Sequence, residues 1–159
     1  MFAYSNSIVK YCLSSLVILL LLSLVSCTIS ISPRGSGVSK SESDDIFEFV
    51  VDLPETIIRL GEKVYFSARL VNLTDEKYTL HGGIELIEMY VRSADDETGY
   101  ASSLIGSTYY LEGHEAKGCY FYFDPQEEGE YLLTAFSSFR VKSVEYLYMF
   151  EKIPITVVK

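Results

Sequence analysis

Few side chains in this 159-residue chain suit a catalytic or metal site. The two histidines, His81 and His114, have no second histidine or cysteine at metal-ligand spacing, so zinc is not predicted. His114 and Cys119 could act as a base and a nucleophile. Cys119, however, is in phase with Phe121 and Phe123, which predicts a buried, inert thiol. We therefore expect no catalytic residues and no enzyme activity.

Three adjacent acids, Asp95, Asp96 and Glu97, could supply oxygen ligands to calcium. Their spacing matches no calcium loop, and a short run of acids is commonly just solvated. The chain also has no glycine-rich phosphate loop and no nucleophile elbow. We expect neither a bound metal nor another cofactor.

Cys27 is the remaining candidate for chemistry because of the residues before it. Lys10 precedes an apolar run from Leu13 to Leu22, and small residues follow, as in a signal peptide with its cleavage zone. The stretch Leu24-Val25-Ser26-Cys27 resembles the lipobox of bacterial lipoproteins. That resemblance implies that residues 1–26 are removed and that the Cys27 thiolate takes a diacylglyceryl group. Two acyl chains would then hold the protein firmly at the membrane.

The alternative is an uncleaved transmembrane helix. Tyr11 to Ser32 carries no charge and is about long enough to span a bilayer. The strongly apolar part is nearer the ~7–15 residues of a signal peptide than the ~20 of a span, which favours the lipoprotein. Both interpretations predict an extracytoplasmic domain on a bacterial membrane, at the outer face of the plasma membrane or on the outer membrane.

Composition restricts the partners and the source of stability. The net charge is −9, and losing Lys10 with the signal would make it −10, so we expect no binding to nucleic acid. With Cys12 in the signal and Cys27 lipidated, Cys119 would be the one ordinary thiol, and no disulfide could form within the domain. The domain must therefore be held by core packing, for which 13 Tyr and 9 Phe supply large side chains.

Residues 27–45 predict a flexible tether. Thr28 to Asp45 is rich in serine, contains Pro33 and has no periodic apolar pattern. As a random coil, about 18 residues would reach roughly 25 Å, enough to hold a small domain clear of the lipid headgroups.

From residue 46 onward the sequence alternates between apolar and polar residues, as strands do. Ile84 to Arg92 also fits a helical stripe, and we favour a strand there. Pro154 cannot donate a ladder hydrogen bond, so its strand should lie at an edge. About seven short strands with turns between them predict an all-β, antiparallel β-sandwich over residues 46–159. The predicted strands are Ile46 to Leu53, Val64 to Leu70, Tyr78 to His81, Ile84 to Arg92, Tyr109 to Leu111, Cys119 to Phe123, Tyr131 to Phe136 and Ile153 to Val157.

The stretch Glu127-x-Gly129-x-Tyr131-x-Leu133 resembles the corner of immunoglobulin-like (Ig-like) domains. The resemblance implies that the Tyr131 hydroxyl bonds to upstream backbone, near Asp124 to Gln126. Leu133 stands where antibody domains have a cysteine, which implies a disulfide-free Ig-like module.

A narrower resemblance points to a possible activity. Gly61-Glu62-x-Val64-x-Phe66-x-Ala68-x-Leu70-x-Asn72-x-Thr74-Asp75, with Gly129-Glu130-Tyr131, is similar to the Ig-like domain named for the BsuPI intracellular proteinase inhibitor. It implies an alternative function, a surface-tethered proteinase inhibitor that presents an extended loop within Ser93 to Tyr110 to a protease.

Apolar residues crowd the stretch Val141 to Phe150, where a hairpin connection is expected. If the turn lies here, some of them are exposed, which is typical of binding surfaces. The alternative is that they belong to two long paired strands. The sequence thus predicts a membrane-anchored, non-catalytic binding or assembly module, whose partner is another envelope protein or a protease. Its candidate binding residues are Val144, Tyr146, Leu147 and Tyr148.

Overall fold

The computed structural model describes residues 37–96 and 106–159, which contain ten strands and no helix. The signal sequence, Cys27 and residues 97–105 of the loop expected within 93–110 lie outside these residues. No helix in the described ranges has the length and apolar character needed to cross a membrane. The strands are β1 (Val38–Ser43), β2 (Phe47–Leu53), β3 (Ile57–Arg59), β4 (Val64–Asn72), β5 (Tyr78–Gly82), β6 (Glu88–Ser93), β7 (Ser107–Leu111), β8 (Ala116–Phe123), β9 (Gly129–Val141) and β10 (Val144–Val158).

The strands form two sheets. The first sheet has the order β1-β2-β4-β8 and is antiparallel throughout. The second has the order β3-β10-β9-β5-β7, and β6 also pairs with β9. Within the second sheet only β3 and β10 run parallel. The predominance of antiparallel pairing agrees with the prediction from the short strands and turns.

Alternation in β2 and β4, broken only by the buried Val50 of β2, builds the inner face of the first sheet. Every second residue of β4, from Val64 to Leu70, is buried, and so is every second residue of β2, from Phe47 to Leu53. Successive side chains of a strand point to opposite faces, so this pattern turns one face inward. The predictions for these two strands are confirmed.

The two sheets meet at a cluster of aromatic rings centred on Phe47. Phe47, on β2, has no exposed surface. The rings of Tyr78, Phe139 and Tyr146, all from the second sheet, lie edge-on to it with centroids 5.1–5.2 Å away. Edge-to-face packing at this separation is favourable for aromatic pairs. Phe47 therefore joins the two layers.

Tyr131 forms a corner at the start of β9. Its hydroxyl donates to the Glu127 carbonyl oxygen at 3.0 Å, one residue beyond the range Asp124 to Gln126 expected from the sequence. Its ring packs edge-on against Phe123, with centroids 5.3 Å apart. Two facing antiparallel sheets with this corner make the fold an Ig-like β-sandwich. The predicted all-β class is confirmed.

The interpretation of residues 27–45 as tether is wrong for Val38–Ser43, because these residues are strand β1. They pair with β2 in register from Val38 opposite Leu53 to Ser43 opposite Glu48. Five of the six β1 side chains are exposed. Backbone hydrogen bonds hold an edge strand of this kind in place. Its side chains need not alternate between apolar and polar, so the sequence does not reveal it.

Other differences concern strand number and length. Ten strands replace the expected seven or so, partly because β3 has three residues and no pattern of its own. β6 begins at Glu88 rather than Ile84, since Leu86 and Ile87 enter the core without pairing.

The long β9 and β10 form one hairpin, with Lys142 in the left-handed region at its turn. Pro154 pairs with Leu132 on one side and has no strand partner among the described residues on the other.

Asp44 links the two sheets at the turn between β1 and β2. Its carboxylate accepts hydrogen bonds from the N–H groups of Ile46 and Phe47, at 2.7 and 2.8 Å, and from the Tyr148 hydroxyl at 2.5 Å. Burial alone would raise the pKa of Asp44. The bonds from Tyr148, Phe47 and Ile46 outweigh it and hold that pKa below its ordinary value of 3.8.

We expect the Asp44 contacts to make stability fall in acid. A carboxyl whose pKa is lowered by folding stabilises the fold above its unfolded pKa, and this is lost as the pH falls through the folded value. Asp44→Asn should cost about 1 kcal/mol at pH 7 and flatten the decline in stability between about pH 5 and pH 3. Denaturant unfolding at a series of pH values measures both. Asp45→Asn, which removes the neighbouring charge, should leave the decline as in the wild type; equal curves for the two variants would contradict the assignment.

Candidate functional site

The structure divides the four residues expected to form a binding surface. Val144 and Leu147 are exposed, at 55% and 60%. Tyr146 packs against the core, and Tyr148 is buried with its hydroxyl bonded to Asp44. The cause is the alternation of β10, which turns the two tyrosines inward. In the folded protein Tyr148 is not available to a ligand, whereas Tyr146 stays partly exposed and lines a cleft of the second sheet.

A different group of tyrosines is exposed on the outer face of the first sheet. Tyr65 on β4 and Tyr120 and Tyr122 on β8 have exposed fractions of 61%, 81% and 41%. They face outward because Phe66 and Phe121, their neighbours along the strands, face inward. We call Tyr65, Tyr120 and Tyr122 the tyrosine face.

The strand register brings the rings of the tyrosine face together. Tyr65 lies opposite Tyr122, with ring centroids 5.1 Å apart and planes inclined by 46°. Tyr120 is two residues from Tyr122 on β8, so it projects from the same face about 7 Å away. The sequence shows that each tyrosine points away from the core. It does not show that β4 and β8 are neighbours, so the three tyrosines cannot be grouped from the sequence alone.

One ion pair and one cation–π contact border the tyrosine face near Tyr122. The Lys63 Nζ lies 3.7 Å from the Asp124 carboxylate and 5.7 Å from the centroid of the Tyr122 ring. The Tyr122 hydroxyl also donates to Asp124 at 3.3 Å. These contacts orient the ring while leaving part of it open to solvent.

A second ion pair lies on the same outer face. An Arg69 guanidinium nitrogen donates to the Asp52 carboxylate at 2.5 Å, and the Ser39 hydroxyl donates to the other oxygen of Asp52. The bond from Ser39, helped by Arg69 and opposed by burial, lowers the pKa of Asp52. Together with Lys63 and Asp124, these side chains carry two positive and two negative charges. Glu48, on the same face of β2 as Asp52, adds a third negative charge, so this face is close to neutral although the chain carries −9.

A groove of about 440 Å³ runs beside the tyrosines. One row of side chains runs across the first sheet along this groove. The strand register places its members side by side on four neighbouring strands: Ser39, Asp52, Ser67 and Tyr120. β1 closes one side of the groove. Gly37, just before β1, allows this approach, since a Cβ there would lie 2.7 Å from the Pro54 carbonyl oxygen. Aromatic walls with a few polar groups are typical of binding clefts.

The second sheet has a larger cleft of about 580 Å³. Phe136 and Ser138 line it, with His81 and Arg140. The Arg140 guanidinium donates to Glu145, so its charge is already compensated. Tyr146 and Leu147, from the sequence-predicted binding group, both line this cleft. Leu147 is exposed, and Tyr146 is partly buried against the core.

The residues considered for catalysis have separate partners. His81 Nδ1 lies 3.2 Å from the Thr108 hydroxyl, and His114 Nε2 lies 2.9 Å from an Asp75 carboxylate oxygen. The Cys119 Sγ lies 3.9 Å from the Ile87 carbonyl oxygen, and burial raises the pKa of its thiol. Cys119 is half-buried rather than fully buried as the sequence predicts.

These contacts do not bring His114 and Cys119 together as a base and a nucleophile. Within residues 37–96 and 106–159, no group of three histidine, cysteine or acidic side chains is placed to hold a metal ion. Asp95 and Asp96 are inside these ranges, whereas Glu97 is not.

Comparison with known proteins leaves the family open. No protein family model matches the chain, and no curated protein matches it. Solved structures that align with it include the CARDB domain of a Pyrococcus furiosus protein, solved in complex with di-metal ions. The two sequences are 18% identical, the alignment covers 75% of this chain and 95% of that chain, and the TM-score is 0.43. The C-terminal domain of Wzt gives 12% identity, 79% and 80% coverage and a TM-score of 0.41.

A β-glucosidase from Listeria innocua also aligns, at 20% identity and a TM-score of 0.38. The alignment covers 75% of this chain but 16% of the enzyme. Similarities of this size carry no conclusion about activity or ligands, so the account of function depends on the geometry of the chain itself.

Proposed function

We propose that this protein is a membrane-anchored, extracytoplasmic binding module of the bacterial cell surface that contacts its partner through the tyrosine face. The observation that carries the proposal is the clustering of Tyr65, Tyr120 and Tyr122 on one open sheet face beside a groove. Clustered exposed aromatic side chains are enriched at binding surfaces. Their place on paired strands gives them a rigid support.

The function is proposed to be non-catalytic. The described contacts place no nucleophile beside a base, and the polar groups of the tyrosine face are engaged with one another. A surface of this kind holds a partner without changing it.

The anchor in this proposal is a lipid on Cys27. Cys27→Ala should abolish labelling with a radioactive fatty acid and block removal of the signal, because the thiolate is the acylated group. Lipid labelling and the size of the mature protein measure these effects. Cys12→Ala, which removes a cysteine within the signal, should leave both unchanged. If the Cys27→Ala protein matures and partitions as the wild type does, the lipid anchor is refuted and the transmembrane anchor takes its place.

The proteinase-inhibitor alternative needs an extended loop within 93–110, of which residues 97–105 lie outside the described residues. It remains an expectation from the resemblance alone. Its test is the residual activity of serine, cysteine and metallo proteases in the presence of the protein, and inhibition of none of these classes would remove it.

Binding to isolated bacterial envelopes tests the proposed function. The full chain, purified in detergent, should bind, and the double variant Tyr65→Ala/Tyr120→Ala should bind about tenfold more weakly or worse, the effect of losing hot-spot side chains. Tyr110→Ala is a matched control, because Tyr110 is 57% exposed on the second sheet and has Lys77 5.4 Å from its ring centroid. Equal binding by the double variant and the wild type would refute the use of this face.

A further inference from the structure

We propose that the ligand of the tyrosine face is a neutral polysaccharide, an inference that rests on the proposed function and names its partner by chemistry. Three properties of the face support it: exposed aromatic rings, a charge close to neutral, and hydrogen-bonding groups in an adjoining groove.

The rings of the tyrosine face suit the apolar side of a sugar. A pyranose ring presents C–H groups on its faces and hydroxyls around its edge, so it stacks on an aromatic ring while its hydroxyls bond to polar neighbours. Tyr120, at 81% exposed, is the most open of the three tyrosines to such stacking. Tyr65 and Tyr122, 5.1 Å apart, extend the same surface. Three neighbouring rings favour a chain of sugars over one sugar.

The charges of the face favour a neutral ligand. Asp52 is paired with Arg69, and Lys63 lies near Asp124, so the four charges compensate one another. A protein with a net charge of −9 repels polyanions at long range. No unpaired cluster of lysine or arginine on this face opposes that repulsion. An acidic polysaccharide or a nucleic acid is therefore a poor match, whereas an uncharged one meets no electrostatic penalty.

The groove supplies partners for sugar hydroxyls. The Asp52 carboxylate accepts hydrogen bonds, and the Ser67 hydroxyl both donates and accepts. Both lie in the same cross-strand row as Tyr120. A chain stacked on Tyr120 would have its hydroxyls next to these groups.

A protein partner suits this face less well. The core of a protein interface is depleted in charged residues, yet this face carries five: Glu48, Asp52, Lys63, Arg69 and Asp124. The described residues also include exposed large aliphatic side chains, but none of them belongs to β4 or β8. They are Leu60, Leu73, Ile84, Val144, Leu147 and Val158.

Affinity electrophoresis gives the direct test. The full chain in non-ionic detergent is run in native gels containing dextran, mannan, laminarin or hydroxyethyl cellulose, and in one containing the polyanion alginate. We expect retardation in at least one of the four neutral gels and none in alginate. Tyr120→Ala should abolish the retardation and Tyr120→Phe should keep it, because stacking needs the ring and not the hydroxyl. Tyr110→Ala should migrate as the wild type does.

Treated envelopes separate failure of this inference from failure of the proposed function. Periodate cleaves vicinal diols of sugars, and protease removes proteins. Loss of wild-type binding after periodate but not after protease supports a polysaccharide. Loss after protease alone, with binding still dependent on Tyr65 and Tyr120, overturns the polysaccharide and keeps the binding function. Retardation in none of the neutral gels together with periodate-resistant binding also overturns it. Binding that is unchanged by the tyrosine substitutions, or no binding at all, overturns both the polysaccharide ligand and the proposed function.

Discussion

Replacing Phe47 with alanine is expected to lower the free energy of unfolding by about 3–5 kcal/mol, the cost of deleting a fully buried ring and leaving a cavity. Phe47 is fully buried, and the three aromatic rings that surround it all come from the opposite sheet. The cavity would open between the two layers, where neither sheet can close it without shifting against the other. Urea unfolding followed by circular dichroism measures the loss.

Two further variants calibrate the Phe47 result. Phe47→Leu keeps most of the apolar volume and should cost less than half as much as the alanine variant. Tyr120→Ala removes a ring that is 81% exposed, so it should change stability by no more than about 0.5 kcal/mol. Similar losses for Phe47→Ala and Tyr120→Ala would contradict the placement of Phe47 between the sheets.

The second large effect is expected at the corner formed by Tyr131. Tyr131→Phe isolates the hydroxyl, whose bond to the Glu127 carbonyl should be worth about 1 kcal/mol. Tyr131→Ala also removes the ring that packs against Phe123, and should cost about 2–4 kcal/mol because this ring is only partly buried. The same urea experiment measures both.

The order of the two Tyr131 variants is as informative as their size. If the phenylalanine variant is as stable as the wild type while the alanine variant is not, the ring matters and the hydrogen bond contributes nothing. If both are as stable as the wild type, the corner does not stabilise this sandwich. Neither variant should change binding at the tyrosine face, which lies on other strands, except through unfolding.

Strands with one buried and one exposed face could be predicted from the sequence. In β2 and β4 the apolar residues that alternate from Phe47 and from Val64 are the ones that the core contains. β1 and β3 could not be predicted, because one is polar and at an edge, and the other is three residues long. Backbone hydrogen bonds to a neighbouring strand hold both, and such bonds leave no trace in the side-chain pattern.

The candidate binding surface depended on pairings that a sequence does not contain. Tyr65 and Tyr122 are far apart in the chain and meet because β4 pairs with β8 in one particular register. Around Tyr146 and Tyr148 the abundance of apolar residues suggested exposure. In the folded chain, alternation along β10 buries Tyr148, packs Tyr146 against the core and leaves Leu147 outside. Abundance of aromatic residues is thus a weaker guide than the face on which each one lies.

Hydroxyl-radical footprinting of the envelope-bound protein tests the central claim most directly. Mass spectrometry reports the oxidation of each exposed side chain in the free and the bound protein, and the two sheets carry exposed residues suitable for comparison. The account predicts that binding protects Tyr65, Tyr120 and Tyr122 and leaves Tyr110 and Leu147 as reactive as before. Protection of Tyr110 or Leu147, with the tyrosine face still fully reactive, would place the binding surface on the second sheet and contradict the account.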